Sequence, residues 1–168
     1  MGLPDPRTKG SKNPGATNVL RIGGKKIAAF VLLFDGLKGA LPVILAHYLG
    51  FSLFELTIIL LCAFLGHVFP IFYGFKGGKG VATYVGILFS INIILGFVFV
   101  VSWGIIFVIS KFSSLSSIIA SLVIPLYLFI FGNHNSIFFM IMFILILYTH
   151  RENVKRLKNK EETKTKIY

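Results

Sequence analysis

Carboxylates are scarce in this chain. Its 168 residues carry six Asp and Glu against seventeen Lys and Arg, a formal charge of +11. Asp5 lies in a polar arm, Asp35 inside an apolar stretch, Glu55 at one end of another, and Glu152, Glu161 and Glu162 in a basic tail, so no paired carboxylic acid and base is evident. Only one cysteine occurs, Cys62. That excludes a disulfide framework and a metal site of clustered cysteines, and inside its apolar run Cys62 reads as a small buried hydrophobe. Charge as a whole is thin: 14% of residues, where a soluble domain carries about a quarter. The opening stretch MGLPDPRTKGSKNPG is polar and lacks the apolar segment of a cleavable signal peptide. Membrane entry is therefore expected to rely on the helices themselves. Internal repeats and low-complexity linkers are absent as well.

Apolar length fills the space that charge leaves. The chain is 55% hydrophobic with a mean hydropathy of +0.83, and several runs approach the roughly 20 residues that span a bilayer core. The expected fold is all-α: a polytopic membrane helix bundle forming a single domain over 1–168. It comprises an arm at 1–26, a bundle over 27–149 with a polar loop at 74–83, and a tail at 150–168. The stretch 82–110 is too long for one crossing and has Asn92 inside it. A turn there gives six crossings at 27–49, 53–73, 82–91, 93–110, 113–131 and 136–149. All Lys and Arg except Lys38 then fall on one side, and the far connections near 50–52, 92 and 132–135 hold none. Excess Lys and Arg mark the cytoplasmic side. The cost is a helix at 82–91 only about 15 Å long, tolerable if the loop before it dips into the bundle and neighbours bury its end.

Three polar stretches fall on that basic side. The loop FKGGKGVAT, residues 75–83, combines Gly77, Gly78 and Gly80 with Lys76 and Lys79. Glycines let backbone amides approach a ligand without Cβ obstruction, and Thr83 is placed to cap the following helix, whose free N–H groups suit an anion. It is not a Walker loop, since G-x-x-x-x-G-K-[ST] does not occur; a turn with two basic anchors is the plainer reading. The stretch GSKNPGATNVLR gathers Ser11, Asn13, Gly15, Thr17 and Asn18 before Arg21, a planar donor suited to phosphate, although Ser, Asn, Pro and Gly also simply make turns. In HRENVKRLKNKEE, His150 and Asn153 share a helix face with Val154 and Leu157, or the stretch is a basic stop-transfer flank. The last ten residues read as a solvated helix end touching anionic lipid.

Taken together, GSKNPGATNVLR, GHVFPIFYGFKGGKGVAT and HRENVKRL, in this order and spacing, resemble the bacterial acyl-phosphate:glycerol-3-phosphate acyltransferases, the PlsY family, over residues 3–162. The resemblance implies transfer of a fatty acyl group from acyl phosphate to the 1-hydroxyl of glycerol 3-phosphate, giving lysophosphatidate and phosphate. That is the first committed step of bacterial phospholipid synthesis, at the cytoplasmic side of the plasma membrane. It implies Ser11 and His150 as catalytic residues. Arg21, Lys76, Gly77, Gly78, Lys79, Gly80 and Asn153 would hold glycerol 3-phosphate or phosphate, and Asn13, Gly15, Thr17 and Asn18 the acyl-phosphate end. No cofactor, metal or nucleic acid is expected; membrane lipid and a functional link to an enzyme that makes acyl phosphates are. The resemblance implies seven helices in the full family fold, and the family's first, ahead of the first motif, is expected to be lacking here, through an internal start at Met1 or true absence. Lys160 stands where the family usually has glycine, and Glu162 matches the closing acid of the third motif.

Acyl phosphate is a mixed anhydride with a good leaving group, so positioning and charge neutralisation are the main tasks. The hydroxyl proton is expected to go to a phosphate oxygen of the donor. His150, with an ordinary pKa of about 6.5, would orient the substrates. Asp35 and Lys38, three apart on one helix, pair either to lock the bundle or to support the site. His67 is expected to pack through a hydrogen bond rather than to catalyse. A CoA-dependent acyltransferase of the soluble type is a poor rival, since H-x-x-x-x-D follows none of the four histidines. A small transporter of phosphate or an organophosphate is the stronger one, disfavoured by a far side without Lys or Arg.

Overall fold

The computed structural model describes residues 4–131 and 136–165. The far connection at 132–135 and the last three residues of the tail lie outside them. The helices are α1 (Ala16–Tyr48), α2 (Leu53–Val68), a 3-10 turn (Ile71–Tyr73), α3 (Val81–Ile91), α4 (Ile93–Ser110), α5 (Ser113–Ile130), α6 (Ser136–Thr149) and α7 (Arg151–Lys158). No strand occurs among the described residues. The chain divides into two compact units, Met1–Ser90 and Ile91–Tyr168.

In the first unit α1 breaks at Gly24, whose φ of 79° and ψ of 176° are non-helical. The break separates the polar arm from the apolar part of the helix, close to the boundary the sequence suggests. A capping box starts α2: Ser52 Oγ accepts from the Glu55 N–H, and the Glu55 carboxylate accepts from the Ser52 N–H at 2.7 Å. Glycines set how closely α1 and α3 approach. A methyl group on Gly39 would fall on the Thr83 carbonyl, and one on Gly86 would fall on the Gly36 carbonyl. Small residues permit such backbone contact, the usual packing device between membrane helices. With eleven residues α3 is too short to cross a bilayer core. Burial stands in for length: Tyr84, Ile87 and Leu88 are entirely enclosed.

In the second unit the expected turn forms at Asn92, whose Oδ1 accepts from the Ile94 N–H at 2.8 Å and caps α4. Lys111 closes α4 in a left-handed conformation. The buried face of α5 begins with Ser114, Ser116, Ser117, Ala120 and Ser121 and continues through Ile124, Pro125 and Leu128. Ser116, Ser117 and Ser121 turn their hydroxyls back onto carbonyls of their own or the preceding turn, which satisfies them inside an apolar bundle. Trp103 donates its indole N–H to Ser117 Oγ at 3.1 Å and stacks on Phe107.

The surface is inverted relative to a soluble fold. Phe34, Phe54, Ile109 and Ile137 are all exposed, while Asn18, Asp35, Thr83, Ser116 and Ser121 are buried. Among the described residues, four helical segments are long and apolar enough to cross a membrane, namely α1, α2 with the 3-10 turn that follows it, α4 and α5, and α6 qualifies only together with α7, from which it bends by 62°. The protein is multi-pass. Cys62 corrects one expectation: it is exposed on α2, on a surface that lipid can cover, rather than packed inside.

Candidate active site

The first motif is organised around Asn18, which is 1% exposed. Its amide donates to the carbonyls of Pro6 and Lys9 at 2.9 and 3.0 Å, and its Oδ1 accepts from the Ser11 N–H at 2.9 Å. These three bonds fold the arm into a tight turn. Gly10 needs its left-handed φ of 60°, and its missing side chain leaves room for the Asn18 amide. Gly15 caps α1 with its carbonyl, accepting from the N–H groups of Asn18 and Val19. Ser11 and Asn13 lie half-buried beside this turn, Thr17 is half-buried in the first turn of α1, and Arg21 projects further along the helix. The arm also reaches the second motif. Arg7, whose guanidinium holds Asp5 below the usual carboxylate range, stands over the Tyr73 ring, 5.2 Å from its centroid.

The second motif leaves α2 at Pro70. Tyr73 and Phe75 N–H groups both donate to the Pro70 carbonyl, and Gly77 N–H donates to Val68 at 3.1 Å. Beyond Gly77 the loop changes character. Among the described residues, the N–H groups of Gly78 and Gly80 donate to no acceptor. The first N–H groups of α3 follow directly and have no partner inside the helix. Lys76 is exposed and Lys79 half-buried on either side of Gly77 and Gly78.

The glycines, expected to clear the way for a ligand, first of all let the loop lie on α2. A Cβ on Gly77 would strike the His67 and Val68 carbonyls, one on Gly78 the His67 imidazole, and one on Gly80 the Phe64 ring. Thr83 does not cap α3: the helix starts at Val81, and the Gly80 carbonyl accepts from the Tyr84 N–H. Thr83 lies inside the first turn, buried, and its Oγ1 has no hydrogen-bond partner among the described residues.

The third motif lies in the second unit. His150 sits at the bend between α6 and α7, 3% exposed, with Nδ1 2.8 Å from the Ile146 carbonyl. A carbonyl only accepts, so Nδ1 carries a proton. Asn153 is buried one turn on, and its amide donates to Glu162 Oε1 at 2.7 Å. Val154, expected on the same face, is exposed instead.

The tail is docked at Glu162 and Thr165, while Asn159, Lys160, Glu161, Thr163 and Lys164 are exposed, as a solvated end would be. Glu161 N–H reaches the Arg156 carbonyl and Lys160 N–H the Leu157 carbonyl, the paired bonds of a helix stop that wants a left-handed residue. That residue is Lys160, with φ of 60°, which explains why glycine would suit this position. Glu162 then accepts from Ser114, Asn153 and Arg156 at 2.8, 2.7 and 2.7 Å. Burial pushes its carboxyl up, but the three donors outweigh that and hold it below the usual range. Thr165 N–H bonds the Lys111 carbonyl. The sequence signalled Glu162 only as a match to a motif's final acid, because its partners are distant along the chain.

An inverted helical bundle, with a loop that carries two lysines and amides unclaimed among the described residues, defines an integral membrane protein with a cationic loop. The comparisons with known proteins narrow this class. The family described as glycerol-3-phosphate acyltransferase matches residues 1–160. The glycerol-3-phosphate acyltransferase of Pelagibacter ubique is 64% identical over 165 residues, covering 98% of this chain and 85% of that protein. That of Ruthia magnifica is 51% identical over 166 residues, covering 98% and 84%. Among solved structures, the crystal structure of PlsY, an integral membrane glycerol 3-phosphate acyltransferase, in its glycerol 3-phosphate form superposes with a TM-score of 0.91 at 39% identity, covering 97% of this chain and 83% of that one. Its lysophosphatidic acid form gives 0.86 at 39%, covering 92% and 80%. The chain belongs to the glycerol-3-phosphate acyltransferase family.

Proposed function

We propose that the protein transfers a fatty acyl group from an acyl phosphate to the 1-hydroxyl of glycerol 3-phosphate, in the bacterial plasma membrane with its site on the cytoplasmic side. The observation that carries this reading is the loop after α2. Its Gly78 and Gly80 amides are unclaimed among the described residues, Lys76 and Lys79 lie in the same stretch, and the arm bearing Ser11 and Arg21 is tied to the same segment by Arg7 over Tyr73. Backbone N–H groups at a helix start, with two ammonium groups, neutralise a phosphate dianion at little reorganisation cost.

In the reaction the hydroxyl oxygen attacks the acyl carbonyl carbon. The new ester C–O bond forms as the bond from that carbon to the bridging oxygen breaks, and inorganic phosphate leaves with the electron pair. The hydroxyl proton goes to a phosphate oxygen of the donor, so no carboxylate base is required. Ser11 and Arg21 from the arm take the donor phosphate in this scheme, with Asn13, Gly15 and Thr17 shaping that end. Asn18, whose amide is spent on the backbone, acts by holding Ser11 in place. His150 and Asn153 enter on the family resemblance, with His150 orienting the substrates.

Purified protein in detergent, where transport has no meaning, is given acyl phosphate and labelled glycerol 3-phosphate. Labelled 1-acylglycerol 3-phosphate is the expected product, and its absence from folded protein would overturn the reading. Lys79→Ala is expected to raise KM for glycerol 3-phosphate about tenfold, with a smaller rise in KM for the acyl donor. Equal effects on both would remove Lys79 from the glycerol 3-phosphate side.

A further inference from the structure

Beneath the phosphate loop lies a polar cluster to which the reaction scheme gives no role. Its parts are His67 in the last turn of α2 and Asp35 and Lys38 on α1. Asp35 is nearly buried and receives Lys38 Nζ on Oδ1 at 2.9 Å. The same oxygen lies 3.6 Å from His67 Nδ1, and both side chains are about a tenth exposed. The far edge of the imidazole, Nε2 and Cε1, occupies the space into which a side chain on Gly78 would point. The ring is thus wedged between an anchored carboxylate and the backbone of the loop.

We propose that His67, fixed by Asp35, is a positioning residue for glycerol 3-phosphate. It sets the height and tilt of Gly78 so that the loop's amides meet the phosphate. The proposal rests on the reading that this loop binds glycerol 3-phosphate, and extends it to residues that touch no substrate.

Three contacts on α2 hold the loop: the Val68 carbonyl under Gly77, the His67 ring under Gly78 and the Phe64 ring under Gly80. His67 also lies against a second helix, its Nδ1 3.6 Å from Asp35 Oδ1, and that helix, α1, is the one that begins with the first motif and carries Arg21. The cluster therefore couples the loop's placement to α1. Asp35 Oδ1, held by Lys38 Nζ, faces Nδ1 and so orients the ring. Without the ring, Gly78 loses its support and the loop can settle onto α2. Without the carboxylate, the ring loses its orientation but keeps its bulk.

Steady-state kinetics on the full chain in detergent test this, with His67→Ala, His67→Gln and Asp35→Asn compared with Lys79→Ala. His67→Ala is expected to raise KM for glycerol 3-phosphate about tenfold with a smaller change in kcat and in KM for acyl phosphate. His67→Gln, which refills the space and keeps a donor for Asp35, is expected to restore most of the loss. A His67→Ala enzyme with unchanged KM, beside a Lys79→Ala enzyme whose KM rises, overturns the proposal while sparing the loop reading. An unchanged KM in Lys79→Ala overturns the loop reading itself. A His67→Gln enzyme no better than His67→Ala also overturns the positioning role. If His67→Ala does not fold, Asp35→Asn decides: a raised KM for glycerol 3-phosphate supports the proposal, and an unchanged one refutes it.

Discussion

Glu162→Ala removes the acceptor on which Ser114, Asn153 and Arg156 converge. The Glu162 side chain is 7% exposed and that of Arg156 33%, so two of the three donors, with Ser114 and Asn153 both buried, cannot turn to water. Hydrogen bonds to a charged group contribute about 1.5–3 kcal/mol each, but a sum would overcount partners that share one carboxylate. Breaking a buried charge pair costs about 3–5 kcal/mol. Because Arg156 regains some solvent, the lower end, about 3 kcal/mol, is expected. The sole tryptophan, Trp103, lies in the same unit and is stacked on Phe107, so its fluorescence during thermal unfolding in detergent reads the loss directly. The pH dependence follows from the lowered carboxyl. Glu162 contributes fully above its ordinary value of 4.5, and the contribution fades as pH falls through the lower folded-state value. A Glu162→Gln protein lacks that acid-side component. Unfolding of Glu162→Ala at the wild-type temperature, or an identical acid profile for Glu162→Gln, would refute the docked tail.

Two further outcomes follow from backbone geometry. Lys160 occupies a left-handed conformation that costs an L residue about 1–2 kcal/mol, so Lys160→Gly is expected to raise stability by about 1 kcal/mol in the same fluorescence assay. Gly39→Ala drives a methyl group onto the Thr83 carbonyl, and overpacking of this kind costs about 1–3 kcal/mol. A lower melting temperature is expected, and an unchanged one would mean that α1 and α3 do not approach as described.

Much of the architecture was legible from spacing. The turn at Asn92 follows from a stretch too long for one crossing, and Asn is a good helix cap, so α3 and α4 part where expected. The arm's boundary follows from the change in polarity near Gly24. Thr83 was misread because a threonine after glycines looks like a cap, whereas Gly80 takes that position and Thr83 enters the helix. Cys62 was misread because hydropathy registers that a run is apolar but not which side of it meets lipid.

The sequence by itself determined that this chain is a multi-pass membrane helix bundle, which three segments carry polar chemistry, and to which family they belong. Those properties depend on composition, order and local periodicity, all of which are encoded along the chain. Only the tertiary structure decided what lies under the loop and what holds the tail. His67 against Gly78, Asp35 against His67, and Glu162 among Ser114, Asn153 and Arg156 join side chains from different elements. The Asp35–His67 pair and the Ser114–Glu162 bond span long stretches of chain, and even the nearer partners of Glu162 meet it only because the tail turns back after α7. Such encounters depend on how helices pack, and packing leaves no periodic mark in the sequence.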